Sequence, residues 1–390
     1  MNCAGFLNLP DWQEKLQKIL TDLDRQDLLR SPVLGYESVD NPWVAFDAED
    51  FFAAVETGIL FQGAYKAGRF PGKLVTADPE TALNRLKAGK YKTTFYNAAI
   101  GATFPVLSLF SGKFEVGKPQ KIFSQNDSVA GFILSLMEAK NCNLEKATYD
   151  AQWEKIAPGN PNFHLHGIVT RNRLALQIME TFGCLVPWEK IPTYGVGSLS
   201  IDDVKIARTL GCSIRLLGLA EKTDTGIKAS VEPCMIPVKY FLAQARGGSE
   251  IVYVQNEDGQ SQVYACPGTS HESIVRGILT DLEEPMQKTG SVNITDTLEK
   301  FSDRYYIRLN LINLSDTLSM VLQIFAQSAI NIESIIQPEG EVSRETENKV
   351  SLPLVLITAP TEIEKLQSVL EEIKDKVKLA SVSSFFRYIR

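Results

Sequence analysis

The sequence has 390 residues, 44% hydrophobic and 22% charged, with 26 Gly and 18 Pro, which allows two or three domains and excludes disorder, collagen and coiled coil as the main state. The net charge of −7 comes from 40 scattered Lys and Arg against 47 Asp and Glu, so no footprint for a phosphate backbone exists and nucleic acid is not an expected partner. No apolar stretch approaches the ~18 residues of a membrane span, and the opening MNCAGFLNLPDW lacks the basic and apolar regions of a signal peptide.

These exclusions place the protein in the cytoplasm, with no membrane partner. Cys3, Cys142, Cys184, Cys212, Cys234 and Cys266 stand far apart with no CxxC pair, which argues against a zinc ribbon, a thioredoxin-type motif or a disulfide scaffold. Reduced, mostly buried thiols are expected.

In chain order, residues 11–30 carry Trp12, Leu16, Ile19, Leu20 and Leu23 at helical spacing behind Asp11, a suitable N-cap. Residues 31–50 read as loop, and FFAAVETG (51–58) and KLVTAD (73–78) as short buried strands. From Ala98 to about Leu282 strands and helices alternate. The clearest unit begins SLSIDDVKIARTLG (198–211): Ser200 and Asp203 form a capping-box pair, Val204, Ala207 and Leu210 an apolar stripe, and Gly211 ends the helix. The strand SIRLLGLAEK follows, and Arg215, Lys239 and Arg246 read as solvated charges near strand ends.

Residues 283–302 carry Pro, Gly and charge with little periodicity and read as a linker. Beyond them come the strand YYIRLNLIN, a helix with Leu318, Val321, Leu322 and Phe325 inward, the strands INIESIIQ and VSLPLVLIT, a helix with Ile363, Leu366, Leu370 and Ile373 inward, and the strand LASVSSFFRYIR. The order βαββαβ predicts a ferredoxin-like plait.

DDVKIARTLGCSIRLLGLAEKTDTGIKASVEPCMIP (202–237), ACPGTSHESIVRGILTDL (265–282), YYIRLNL and INIESIIQ resemble homoserine dehydrogenase with a C-terminal ACT domain. The resemblance implies an α/β chain: a truncated Rossmann-like region behind an N-terminal helix (1–97), a homoserine-dehydrogenase-like substrate and dimerisation domain (98–282), a linker (283–302) and a ferredoxin-like ACT domain (303–390). It also implies a homodimer paired through the substrate-domain sheet.

The resemblance allows the family's site residues to be carried over one at a time. The catalytic lysine falls on Pro79; a glutamate and paired glycines fall on Asn97, Ala102 and Thr103. The substrate-binding glutamate falls on Pro158, an acidic substrate residue on Val169, and a lysine assisting proton transfer on Arg173, a poor acid or base near neutrality. The glycine loop at the nicotinamide face reads Thr269, Ser270 and His271. The first 57 residues hold only Gly5 and Gly35, so no GxGxxG turn is present and no NAD(P) is expected.

The short Pro-Gly turn with which the family's ACT domains bind an amino acid reads LSDT here, with Ser315 and Asp316 in its place. The three histidines, His164, His166 and His271, fall on segments lining the cleft of the resembled fold. An HLH triplet on a strand would put two rings on one face, so with Arg173 they form a candidate cleft site, and His164, His166 and His271 a candidate divalent-metal set.

The favoured expectation is a descendant that has lost NAD(P)-dependent dehydrogenase chemistry and acts as a binding or regulatory module of amino-acid metabolism, taking an amino-acid-like small molecule. A repurposed enzyme using the histidine-lined cleft and an active NAD(P)-dependent homoserine dehydrogenase are the alternatives.

Overall fold

The computed structural model describes residues 33–34, 74–75, 79–89, 94–100, 118–268, 293–295, 297–312, 314–338, 344–346 and 349–390. The expected helix at 11–30 and strand at 51–58 lie outside them. In chain order the elements begin with β1 (Val33–Leu34), β2 (Leu74–Val75), α1 (Pro79–Lys87), β3 (Thr94–Phe95), α2 (Asn97–Ile100) and β4 (Pro119–Gln125). Next come α3 (Ser128–Lys140), α4 (Leu144–Trp153), α5 (Asn162–Leu165), α6 (Ile168–Phe182), β5 (Cys184–Leu185), α7 (Ile201–Thr209), β6 (Cys212–Lys222), β7 (Ile227–Pro237), β8 (Glu250–Asn256) and β9 (Ser261–Cys266). The rest of the chain gives β10 (Asn293–Ile294), β11 (Leu298–Glu299), β12 (Ser302–Asp303), β13 (Tyr305–Ile312), α8 (Leu314–Gln327), β14 (Ile332–Ile336), β15 (Arg344–Thr346), β16 (Lys349–Thr358), β17 (Thr361–Glu362), α9 (Ile363–Lys376) and β18 (Ala380–Tyr388).

The chain forms two compact units, each discontinuous in sequence. The first draws on the described residues within Met1–Ser128, Val169–Lys190 and Gly248–Thr297, the second on those within Val129–Ile168, Ile191–Gly247 and Leu298–Arg390.

In the first unit β2 and β3 run parallel with α1 between them, and β1 adds antiparallel to β2. That β-α-β crossover lies within residues 1–97, where a Rossmann-like region is expected. A second sheet pairs β4, β8 and β9 antiparallel. Leu174, Ala175, Leu176, Gln177, Ile178 and Met179 of α6 are all buried, a run that covers every side of the helix and makes it a core helix. Tyr96 ties the two parts of this unit together by donating to Glu180 Oε1 at 2.5 Å on α6.

In the second unit β6 and β7 form a long antiparallel hairpin, nearly continuous in buried residues, as strands covered on both faces should be. The capping box before α7 is present: Ser200 and Asp203 exchange hydrogen bonds at the N-terminus, and Gly211 follows the helix at φ +67°. The last third is the expected βαββαβ plait, with strand order β14-β16-β13-β18 and every neighbouring pair antiparallel. Alternation along β13 sends Tyr305, Ile307, Leu309 and Leu311 into a core with Val321, Ile324 and Phe325 of α8 and Ile363, Leu366, Leu370 and Ile373 of α9. The end of β18 pairs parallel with β7, Arg387 beside Cys234 and Tyr388 beside Met235, so the plait extends the hairpin's sheet.

Several expectations change. Ile324 takes the core position assigned to Leu322, which is half-buried, because the stripe on α8 runs through Thr317, Val321, Ile324 and Phe325. Ser315 and Asp316 lie inside the first turn of α8, so LSDT is helix start rather than a turn before it. Residues 283–302, expected as a linker, hold the two-residue strands β10 and β11 and the first residue of β12. Arg215 is 1% exposed rather than solvated, because Glu138 and three backbone carbonyls enclose it. Among the described cysteines, none in a disulfide, Cys212 and Cys234 are buried and Cys142, Cys184 and Cys266 half-buried. No helix among the described residues is long and apolar enough to cross a membrane.

Candidate active site

The positions carried over from the resemblance scatter among different local structures. Pro79 is the first residue of α1, where a missing N–H costs nothing. Asn97 is buried at the start of α2, and Val169 is half-buried on α6. Pro158 follows α4, its carbonyl accepting from Gln152 Nε2 at 3.1 Å. Ala102, Thr103, Thr269, Ser270 and His271 lie outside the described residues.

The HLH triplet is helical. His164 is in α5 and His166 follows it as the C-cap, because Pro161 starts a turn in which the His164, Leu165 and His166 amides find carbonyls at Pro161 and Asn162. Residues two apart on a helix point about 200° apart, so the shared face expected of a strand is absent. Among the described residues no group of three His, Cys, Asp or Glu could hold a metal.

Arg173 has built surroundings. It projects from α6, and its Nη1 donates to the Asn126 carbonyl at 2.6 Å and to Glu250 Oε1 at 3.2 Å. Glu250, fully buried at the start of β8, also accepts from Ser128 Oγ at 2.8 Å. Arg173 keeps 11% of its side chain exposed, so the cluster is not wholly closed to solvent. Behind it Gln177 Oε1 accepts from Ser124 Oγ at 2.8 Å and from Asn126 Nδ2 at 3.2 Å. Asn126 Oδ1, Thr170 Oγ1 and Gln125 Oε1 are buried and find no hydrogen-bond partner.

The backbone around this cluster is constrained. Gly268 has φ +105°, and a Cβ there would collide with the Gly248 carbonyl oxygen and crowd Ser128 Oγ. Cys266, at the end of β9, points its thiol at the Glu250 carbonyl; burial first, then the Glu250 charge, pushes it up to about 11. A buried carboxylate, a fixed cation and uncommitted polar atoms suit the binding of a small polar substrate with a negative or developing negative charge.

The sequence reading found Arg173 and missed Asn126, Ser128, Gln177 and Glu250. A signal was available in QNDS, a polar run at the junction of strand KIF and an apolar helix, since α/β folds place ligand groups at the carboxyl ends of strands.

A sequence model of homoserine dehydrogenase matches residues 105–282, which spans this cluster. Over 280 residues the chain is 25% identical to homoserine dehydrogenase of Pseudomonas aeruginosa, covering 67% of this chain and 63% of that protein. Over this segment the chain is similar to the homoserine dehydrogenase family. Homoserine dehydrogenase of Lactococcus lactis is 20% identical over 339 residues, 82% of this chain and 77% of the relative. The crystal structure of a homoserine dehydrogenase from Thiobacillus denitrificans superimposes with a TM-score of 0.68 at 22% identity, covering 81% of this chain and 76% of that one, and shows a common fold.

These findings correct the expectation of a binding or regulatory module without dehydrogenase chemistry. Relatives matching most of the chain are named as the enzyme, and none of the comparisons points to lost activity. Reading position by position counted the family residues that are replaced. It could not see that Arg173 is paired, oriented and backed by a buried polar network.

Proposed function

We propose that the chain is an NAD(P)-dependent homoserine dehydrogenase, an oxidoreductase of amino-acid metabolism acting in the cytoplasm as a homodimer. The observation that carries this reading is the match to homoserine dehydrogenase across residues 105–282, the segment containing the Arg173 cluster. The βαββαβ segment is read as an ACT domain. Because the chain spans 63% and 62% of the Pseudomonas aeruginosa and Helicobacter pylori relatives, the activity of the whole enzyme comes to it as a proposal.

Arg173 stays protonated near neutrality, so its part in this reading is to hold the negative charge of the substrate. The alcohol proton then has two nearby carboxylates as candidate acceptors, the buried Asp127 and Glu250. The N-terminus of α1 does not fit a pyrophosphate: Pro79 supplies no N–H, and Glu80 puts a carboxylate in the first turn.

The test is steady-state oxidation of homoserine by the purified full chain with NAD⁺ and with NADP⁺, followed at the reduced-nicotinamide absorbance. Saturable turnover abolished by Arg173→Ala is expected. Absence of turnover with both nucleotides, by protein shown to be folded, overturns the proposal.

A further inference from the structure

A cleft of about 470 Å³ lies within the second unit. Its apolar side is Phe132, Leu136 and Ala139 on one face of α3, and its charged side chains are Glu138, Arg208 and Arg246. Glu138 is already committed, since Oε1 accepts from Ser213 Oγ at 2.9 Å and Oε2 from the buried Arg215 Nη1 at 2.9 Å.

Among the described residues, neither arginine has a carboxylate of its own. Arg208 donates from Nη2 to the Glu138 carbonyl at 2.5 Å and makes no ion pair. Arg246 is exposed, forms no hydrogen bond or ion pair, and lies near enough to Arg215 for the two cations to repel. Burial chiefly, opposed by Glu138 and reinforced by Arg246, holds the Arg215 guanidinium below its ordinary range. Two guanidinium groups, Arg208 and Arg246, therefore flank a cleft of ligand size whose one lining carboxylate, Glu138, is taken by Arg215. Such uncompensated charge beside an apolar wall suits a ligand with an anionic head and an apolar body, the head bound by charge-assisted hydrogen bonds and the body by burial.

We propose that the cleft between α3 and the Arg208 and Arg246 side chains binds a small organic anion, an aryl or alkyl phosphate or carboxylate. The proposal is independent of the dehydrogenase reading, because it is read by binding and not by turnover.

Calorimetric titration of the full chain at fixed ionic strength tests it with phenyl phosphate, benzoate and neutral benzyl alcohol. Saturable binding of one or both anions, weakened by added NaCl, is expected, with no binding of the alcohol. Tighter binding of phenyl phosphate would identify a phosphate head, and of benzoate a carboxylate head. Arg246→Gln and Arg208→Gln, both at exposed positions, should each weaken binding by about tenfold. No saturable binding of either anion, or equal binding by the wild type and the double variant, overturns the proposal. Should a variant unfold, failure of NaCl to weaken wild-type binding overturns it equally.

Discussion

Two buried carboxylates, one in each unit, face arginines in opposite ways. In the second unit Asp203 is fully buried and receives six hydrogen bonds: Oδ1 accepts from Tyr306 Oη, Arg308 Nε and Ser384 Oγ, and Oδ2 from Ser200 N and Oγ and from Arg308 Nη2. In the first, Glu250 accepts from Arg173 and Ser128 within a cluster where Asn126 Oδ1, Thr170 Oγ1 and Gln125 Oε1 have no partner. The satisfied network fixes α7 to β13 and β18, whereas the incompletely satisfied one keeps polar atoms in reserve, as the proposed site would need.

Breaking the satisfied network should cost most. Asp203→Ala leaves the buried Arg308 with only its longer 3.8 Å pair to Asp202 and is expected to destabilise the second unit by about 3 kcal/mol, read from the shift of its urea transition. A loss below about 1 kcal/mol would show that Asp203 is not the anchor its hydrogen bonds imply. Glu250→Gln should cost less, about 2 kcal/mol, because Arg173 keeps the Asn126 carbonyl and its partial exposure. The same variant should lower homoserine turnover by about tenfold or more. Loss of stability with unchanged turnover would move Glu250 from the site to the scaffold.

The two thiols beside buried glutamates sharpen the comparison through pH. Cys266 is pushed from 9.0 up to about 11, so the folded state holds its proton more tightly than the unfolded chain. Its contribution is therefore complete below pH 9 and is lost as pH rises from 9 to 11, on the order of 1–2 kcal/mol. Alkylation by iodoacetamide should reach Cys266 as pH approaches 11, while Cys234, fully buried and raised well above 9.0, reacts only on unfolding. Mass spectrometry of the two peptides checks the order, and faster labelling of Cys234 would contradict it.

The smallest effect has the opposite sign. Thr170→Val replaces a buried hydroxyl that has no partner by a methyl group of similar shape, and should stabilise the first unit by about 1 kcal/mol. Destabilisation measured by the same urea titration would mean the hydroxyl is satisfied.

The sequence announced elements whose chemistry is local. Ser200 and Asp203 are three residues apart, so their capping box is legible as a pattern, and the alternation of β13 and the stripe of α9 follow from single periodicities. The same Asp203 meets Arg308 across 105 residues and Arg215 meets Glu138 across 77, separations over which no periodicity carries information. That is why Arg215 read as a surface charge and Glu250 did not stand out. The strand reading of HLH gave way to a helix for a different reason, since alternation on a strand and a single helical turn share the same three letters.

The interleaving of the second unit has a consequence in time. Synthesis delivers Asp203 and Glu232 well before their partners Arg308 and Arg387, which follow 105 and 155 residues later. At about 5–20 residues per second the acids wait on the order of 5–30 s for a counter-charge. Until then the hairpin of β6 and β7 cannot bury those carboxylates without penalty, and β7 lacks the strand that β18 will supply. The nascent chain therefore holds an open sheet edge longest where the finished protein is most tightly cross-linked, and chaperone binding during translation should concentrate on that hairpin.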